Sequence, residues 1–166
     1  MSFKRVLLYF IIAFLMQLSL VNLISFRNMG PDLVMCLMIA ITFLYDDGYR
    51  SIPVALFFGL LLDICAHQFV GVTPLIYLVV GIFAAAARIW LNAEKFVTMA
   101  VTGAIATVIY ETLYFAAMKM LADPIGGGYV LIREPVFIVY NVVILAAMFG
   151  AMHTKAEAYH NDRYNI

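Results

Sequence analysis

The chain has 166 residues, of which 66% are hydrophobic and 12% are charged, and its formal net charge is zero. A soluble domain carries about 25% charged residues, so this composition excludes a soluble globular fold. The neutral balance gives no indication of nucleic-acid binding. We therefore interpret the chain as one integral membrane domain.

The first apolar run, residues 6–25, is long enough to cross a hydrocarbon core of about 30 Å. It is too long for the apolar core of a signal peptide, so we expect a retained helix. Pro31-Asp32 predicts the start of a shorter second helix, because Pro suits the first helical position and an early Asp complements the helix dipole. Asp46-Asp47-Gly48 ends that helix.

Prolines mark the boundaries of the remaining predicted helices. Ser51 and Pro53 predict a cap and first position for the third helix, and Thr73-Pro74 repeats this pattern for the fourth. The second and third helices are short, and four arrangements stay open for them. They cross fully, tilt, lie shallowly or pair as a re-entrant hairpin. The six predicted helices span residues 6–25, 32–45, 52–66, 74–90, 96–121 and 135–153.

Lysine and arginine are unequally distributed between the two ends of the predicted bundle. With the N-terminus in the cytoplasm, the inner side carries more of them than the outer side, which is the distribution of inner-membrane proteins. The inner residues are Lys4, Arg5, Arg50, Arg88, Lys95, Lys155 and Arg163, and the outer ones are Arg27, Lys119 and Arg133. Six spans with both termini in the cytoplasm are therefore predicted.

Asp32, Asp63 and Glu111 fall in the outer half of this predicted bundle. A carboxylate in a lipid-spanning helix costs about 2.5–3.5 kcal/mol on insertion scales, so each acid needs stabilising contacts. Arg27 and Lys119 are the nearest candidate partners. The acids share helical faces with small residues, a pattern that indicates close helix packing with a polar contact. The faces are Gly59, Asp63 and His67 on the third helix, and Gly103, Thr107 and Glu111 on the fifth.

Three interpretations of Asp63 and Glu111 remain open. The acids fix helix register through hydrogen bonds, line a cavity or groove for a partner helix or ligand, or couple to protons or ions. His67 could be a proton relay or half of a metal site, but no second cluster completes a metal shell, so we predict no metal. The sequence lacks GxSxG and HExxH, and Gly126 to Gly128 lacks the Lys-Ser/Thr of a phosphate loop, so we predict neither catalysis nor a cofactor.

Three motifs follow one another between residues 31 and 81. They are Pro-Asp opening an early apolar helix, Gly-Leu-Leu-x-Asp, and a Gly-containing turn before an apolar helix with Tyr and Gly. In this sequence they are Pro31-Asp32, Gly59 to Asp63, and Gly71 with Tyr77 and Gly81. The series resembles the MreD family of rod shape-determining membrane proteins, whose size and six-helix plan also fit the whole chain.

The resemblance implies an all-α integral membrane protein with six transmembrane helices, similar to the S-component bundles of energy-coupling-factor vitamin transporters. It implies a non-enzymatic scaffold of cell elongation in the bacterial inner membrane. The expected partners are MreC directly, and the MreB filament and the wall-synthesis glycosyltransferase and transpeptidase less directly. An outward-open cavity or groove would receive part of a partner, and its candidate residues are Asp32, Gly59, Asp63, His67, Tyr77 and Glu111.

Two other classes of function stay open at this point. A small-molecule-binding subunit of an energy-coupling-factor transporter predicts a co-purifying ligand and a coupling ATPase. An intramembrane enzyme acting through Asp63, His67 and Glu111 predicts that substitutions abolish activity without loss of assembly. Against both, the predicted helices lack a dense set of polar ligand-binding groups.

Overall fold

The computed structural model describes residues 3–19, 31–45, 47–66, 69–91, 96–121 and 135–152. These residues form six α-helices and no strand, which confirms the predicted all-α class. A 3₁₀ helix, Gly48–Arg50, leads into the third α-helix. The α-helices are α1 (Phe3–Ser19), α2 (Leu33–Leu44), α3 (Ser51–Ala66), α4 (Val72–Trp90), α5 (Phe96–Leu121) and α6 (Pro135–Met152).

Four helical segments within the described ranges are long and apolar enough to cross a membrane. They are Gly48–Ala66, Val72–Trp90, Phe96–Leu121 and Pro135–Met152. The predicted end of the first helix, residues 20–25, lies outside the described residues, as does residue 153. The 12 residues of α2 rise only about 18 Å, at about 1.5 Å per residue, which is less than the thickness of a bilayer core.

α2 forms the centre of the bundle, and every one of its residues is buried. A helix that is hydrophobic all round needs apolar neighbours on every side. α1, α3, α4 and α5 pack against it, and α6 reaches it through Asn141. The outer helices each bury a stripe and leave apolar side chains exposed, as α1 does with buried Phe10 and exposed Leu8. This apolar exterior suits contact with lipid.

Polar contacts at both ends of α2 show that α2 and α4 run parallel. Tyr77, near the start of α4, hydrogen-bonds Asp32 at the start of α2. Arg88, near the end of α4, donates from Nη1 to the carbonyl oxygens of Thr42 and Tyr45 at the end of α2. α4 therefore contacts α2 at both of its ends, where backbone groups have no intrahelical partners.

α5 and α6 pack antiparallel along their lengths. The ring of Phe96, at the start of α5, lies 5.4 Å from that of Phe149 near the end of α6. Just past the middle of α5, the ring of Tyr110 stacks on that of Phe137, near the start of α6, at 6.1 Å. Between these pairs a Cβ at Gly103 would overlap Cδ1 of Leu145 on α6, so glycine permits the close approach of the two helices.

The starts of three helices differ from the predicted ones because contacts from other parts of the fold decide them. Asp32 is the N-cap of α2 and not its first helical residue. Gly71, with φ of +102°, is the N-cap of α4, where Thr73 was the predicted cap. Ser51 is the first residue of α3, and its hydroxyl lies 3.2 Å from the Thr42 hydroxyl of α2. The predicted Ser51 cap is therefore wrong, because that hydroxyl bonds across helices.

Candidate functional site

Asp32 lies at the start of α2 and is only 5% exposed. Its Oδ1 accepts the Met35 N–H at 2.9 Å, the bond of an N-cap that satisfies a first-turn donor. The Tyr77 hydroxyl of α4 reaches both carboxylate oxygens, at 2.7 and 2.8 Å. Next to it, Gln17 of α1 accepts the Leu33 N–H at 2.7 Å. These donors and the positive end of the α2 dipole stabilise a buried carboxylate.

Asn141, fully buried on α6, joins this cluster to two further helices. Its Oδ1 accepts the backbone N–H of Asp32 at 2.9 Å, and its Nδ2 donates to the Thr107 hydroxyl of α5 at 3.2 Å. That hydroxyl donates in turn to the Gly103 carbonyl at 2.8 Å. The Cys36 thiol lies 3.6 Å from both the backbone and the side-chain oxygen of Asn141. One amide thus holds α2, α5 and α6 together.

Gly59 of α3 makes room for the ring of Tyr77. A Cβ at this position would lie 2.8 Å from Cδ2 and 3.0 Å from Cε2 of that ring, closer than van der Waals contact allows. Tyr77 itself is fully buried. The glycine therefore decides how deep the ring sits, and so where its hydroxyl meets Asp32.

Asp63, 1% exposed in the last turn of α3, caps the following helix from outside it. Its Oδ2 accepts the N–H of Gly71 at 2.8 Å and the N–H of Thr73 at 3.0 Å. Donors in the first turn of a helix have no intrahelical acceptor, so this carboxylate fixes the turn between α3 and α4. His67, the predicted neighbour of Asp63, lies outside the described residues.

Glu111, 3% exposed, is buried on α5 beside Tyr110. Tyr110 shares a side-chain hydrogen bond with Thr73 at the start of α4. Its ring lies 6.1 Å from that of Tyr77 and 6.0 Å from that of Tyr114. Because Thr73 also contacts Asp63 and Tyr77 contacts Asp32, the acids are connected through neighbouring contacts in one region of the bundle.

The three carboxylates of this region are shielded from solvent, with Asp32, Asp63 and Glu111 at 5%, 1% and 3% exposure. Carboxylates that lined an open cavity would be accessible. Of the predicted cationic partners, Lys119 is exposed in the last turn of α5 and Arg27 lies outside the described residues. The hydrogen bonds of Asp32 and Asp63 connect helices inside the bundle.

Two polar residues that contact α2, Asn141 near its start and Arg88 at its end, are absent from the predicted set of site residues. A polar side chain inside an apolar span is costly unless it is bonded within the protein, which was the available signal for Asn141. Arg88 entered the prediction only through its charge. Among the described residues, no group of three or more His, Cys, Asp or Glu side chains is placed to hold a metal ion.

These features define a multi-pass α-helical membrane protein built around a short buried helix, with acids and amides joining its helices from within. The chain belongs to the MreD family, since the family model described as rod shape-determining protein MreD matches residues 1–156. This confirms the predicted family and makes the chain a rod shape-determining membrane protein; the family is not a known enzyme family. No curated protein and no solved structure matches the chain. The likeness to S-component bundles therefore stays a prediction.

Proposed function

We propose that the chain is a non-enzymatic scaffold of the machinery that builds the lateral wall of elongating bacteria. The family match over residues 1–156 carries this proposal. In this role the protein binds MreC directly. The MreB filament and the wall-synthesis glycosyltransferase and transpeptidase associate with it more weakly or through MreC.

In this proposal both termini face the cytoplasm. Basic residues of three helices support this orientation, because they gather at one end of the bundle. Arg5 of α1 is close enough to Tyr45 to interact with it electrostatically, and the Tyr45 carbonyl accepts from Arg88 of α4. Arg50 lies at the end of the 3₁₀ helix that begins three residues after Tyr45. Basic residues concentrate on the cytoplasmic side of inner-membrane proteins.

The buried acids brace the surface that MreC contacts and do not touch MreC themselves. Asp32 connects α2 to α4 and, through its backbone N–H, to α6. Asp63 fixes the turn between α3 and α4. With the polar groups directed inward, an apolar exterior is left for lipid and for a partner's membrane helix. Packing of small and apolar side chains drives such helix association in membranes.

The experiment that tests this proposal is a pull-down of the tagged chain from its native membrane, with the eluate analysed for proteins and small molecules. Recovery of MreC and wall-synthesis enzymes is expected. Recovery of an ATPase pair with a tightly held small molecule would instead identify a transporter subunit.

The bracing role has its own test in the same assay. Asp63→Asn and Glu111→Gln are expected to lower the melting temperature of the purified chain and, with it, the recovery of MreC. Lys119→Gln, at an exposed basic position of α5, is the matched control and should change neither. If both acid variants leave melting temperature, MreC recovery and cell shape unchanged, the acids do not brace the docking surface.

A further inference from the structure

One end of the bundle combines exposed basic and aromatic side chains. We call it the basic rim and define it by Phe3, Lys4, Arg5, Tyr49, Arg50 and Trp90. Phe3, Tyr49 and Trp90 are 62%, 55% and 86% exposed. Lys4 and Arg5 are also exposed, and the Arg50 side chain is 60% exposed.

The rim residues meet around the turn that joins α2 to α3. Arg5 interacts electrostatically with Tyr45, the C-cap of α2, and Gly48 donates its N–H to the Tyr45 carbonyl at 2.8 Å. Arg88, two residues before Trp90, donates to the same carbonyl. The start of α1, the start of α3 and the end of α4 therefore share one end of the bundle. Arg88 is committed to the carbonyls of α2, so we leave it out of the rim.

Among the described residues, Asp47 is the acid that forms an ion pair with the rim. Asp47 lies 4.0 Å from Arg50 Nη1, but the two side chains are 22% and 60% exposed, and an ion pair this exposed is weak. Asp46, the next acid in the sequence, lies outside the described residues. The Arg50 guanidinium also lies 5.9 Å above the ring of Tyr49, which holds the cation beside an aromatic face.

At the opposite end of the bundle, the part of α5 that the structure describes has a different composition. At the end of α5 one cation, Lys119, is followed by Met120 and Leu121, which are 87% and 53% exposed. Trp and Tyr rings, such as those of Trp90 and Tyr49, are enriched at the headgroup level of a bilayer, and cations beside them meet the phosphates of anionic lipids.

We propose that the basic rim is a binding surface for the phosphate headgroups of anionic phospholipids. The rings of Phe3, Tyr49 and Trp90 lie at the level of the headgroups and acyl carbonyls. The ammonium of Lys4 and the guanidinium groups of Arg5 and Arg50 donate to lipid phosphate oxygens, as cations do at membrane surfaces. The proposal rests on the membrane location in the proposed function, and MreC binding plays no part in it.

Trp90 is the single tryptophan of the chain, so its fluorescence reports on this surface alone. The full chain is reconstituted in phosphatidylcholine vesicles that contain equal fractions of dibrominated phosphatidylglycerol or dibrominated phosphatidylcholine. Because bromine quenches tryptophan on contact, the ratio of the two quenching curves gives the relative affinity of the rim for the anionic lipid. We expect a preference of about fivefold at low salt, decreasing as salt screens the phosphate contacts.

The triple variant Lys4→Gln/Arg5→Gln/Arg50→Gln should bring this preference close to one. Its three side chains are exposed, so the melting temperature should stay near that of the unsubstituted chain. Lys119→Gln is the matched control and should retain the full preference. Equal quenching by both lipids, or a preference that survives in the triple variant, would overturn the proposal. Relief of quenching by added inorganic phosphate would show a site for free phosphate and overturn the assignment to lipid. None of these outcomes depends on recovery of MreC.

Discussion

At the residue scale, the contact between Tyr77 and Asp32 shows how a buried charge is stabilised here. The phenol O–H reaches both carboxylate oxygens, at 2.7 and 2.8 Å, and the Met35 N–H reaches one of them at 2.9 Å. Removing one donor leaves a buried carboxylate with less compensation, a loss that exceeds the value of an average hydrogen bond. The same phenol on an exposed position would contribute almost nothing.

Tyr77→Phe removes that hydroxyl and keeps the ring. We expect it to lower the free energy of unfolding by about 1–2 kcal/mol, measured as the melting temperature in detergent. Tyr49→Phe, at a side chain that is 55% exposed, is the control and should leave the melting temperature unchanged. A double-mutant cycle with Asp32→Asn isolates the pair. Equal effects of Tyr77→Phe in the presence and absence of Asp32→Asn would show that the two side chains do not interact.

Gly59 and Gly150 provide a second matched comparison. Gly59→Ala places a Cβ 2.8 Å from the Tyr77 ring, whereas a Cβ at Gly150 meets no atom within 4 Å. Overpacking of a buried contact costs about 1–3 kcal/mol, so Gly59→Ala should lower the melting temperature. Gly150→Ala should leave it unchanged or raise it, because alanine favours the helix. If both variants have the same melting temperature, the ring of Tyr77 is not packed against α3 as described.

At the element scale, α2 depends on α4 for both of its ends. Asp32 meets Tyr77 at the start, and Arg88 Nη1 donates to the carbonyls of Thr42 and Tyr45 at the end. A cation at a helix C-terminus also complements the helix dipole. α2 is shorter than the thickness of a bilayer core. These contacts at its two ends therefore fix its position along the bundle axis.

Arg88→Gln is therefore expected to loosen the end of α2. Charge-assisted hydrogen bonds contribute about 1.5–3 kcal/mol, and their loss should raise amide hydrogen exchange in the last turn of α2 before it affects the rest of the bundle. Hydrogen exchange read by mass spectrometry on the peptide that covers α2 measures this directly. Arg50→Gln removes an equal charge from the same end, at a side chain that is 60% exposed, and serves as the control. Equal amide hydrogen exchange in the last turn of α2 in both variants would contradict the assigned role of Arg88.

Several elements could be predicted from the sequence, and the reasons are physical. Apolar runs separated by prolines indicated the helices, because apolar length and the missing proline N–H act locally. The helix caps were harder to predict from the sequence, since their hydrogen-bond partners are distant residues. Gly71 and Thr73 are capped by Asp63, and the Asp32 N–H is accepted by Asn141, 109 residues away. A tertiary acceptor leaves no pattern in the segment that it caps.

At the scale of the whole molecule, the arrangement of the bundle also lay beyond the sequence. Apolar residues are favoured against lipid and against protein alike, so hydropathy alone does not distinguish the fully buried α2 from the lipid-facing stripes of α1. Its short length and the absence of a polar face were the available signals. The family motifs, Pro31-Asp32 and Gly59 to Asp63, mark the contacts that hold this buried helix and its neighbours together.

The orientation of the bundle gives the last prediction. Tyr49 and Met120 are exposed near opposite ends of the described bundle, at 55% and 87%. Tyr49→Cys and Met120→Cys are introduced separately into a Cys65→Ser chain, in which Cys36 remains buried and unreactive. With basic residues held on the cytoplasmic side, a membrane-impermeant maleimide added to intact spheroplasts should label Met120→Cys at once. Tyr49→Cys should be labelled only after permeabilisation. The reverse order would place the basic rim outside the cell, opposite to the cytoplasmic leaflet, and would invert the proposed topology while leaving the helix packing unchanged.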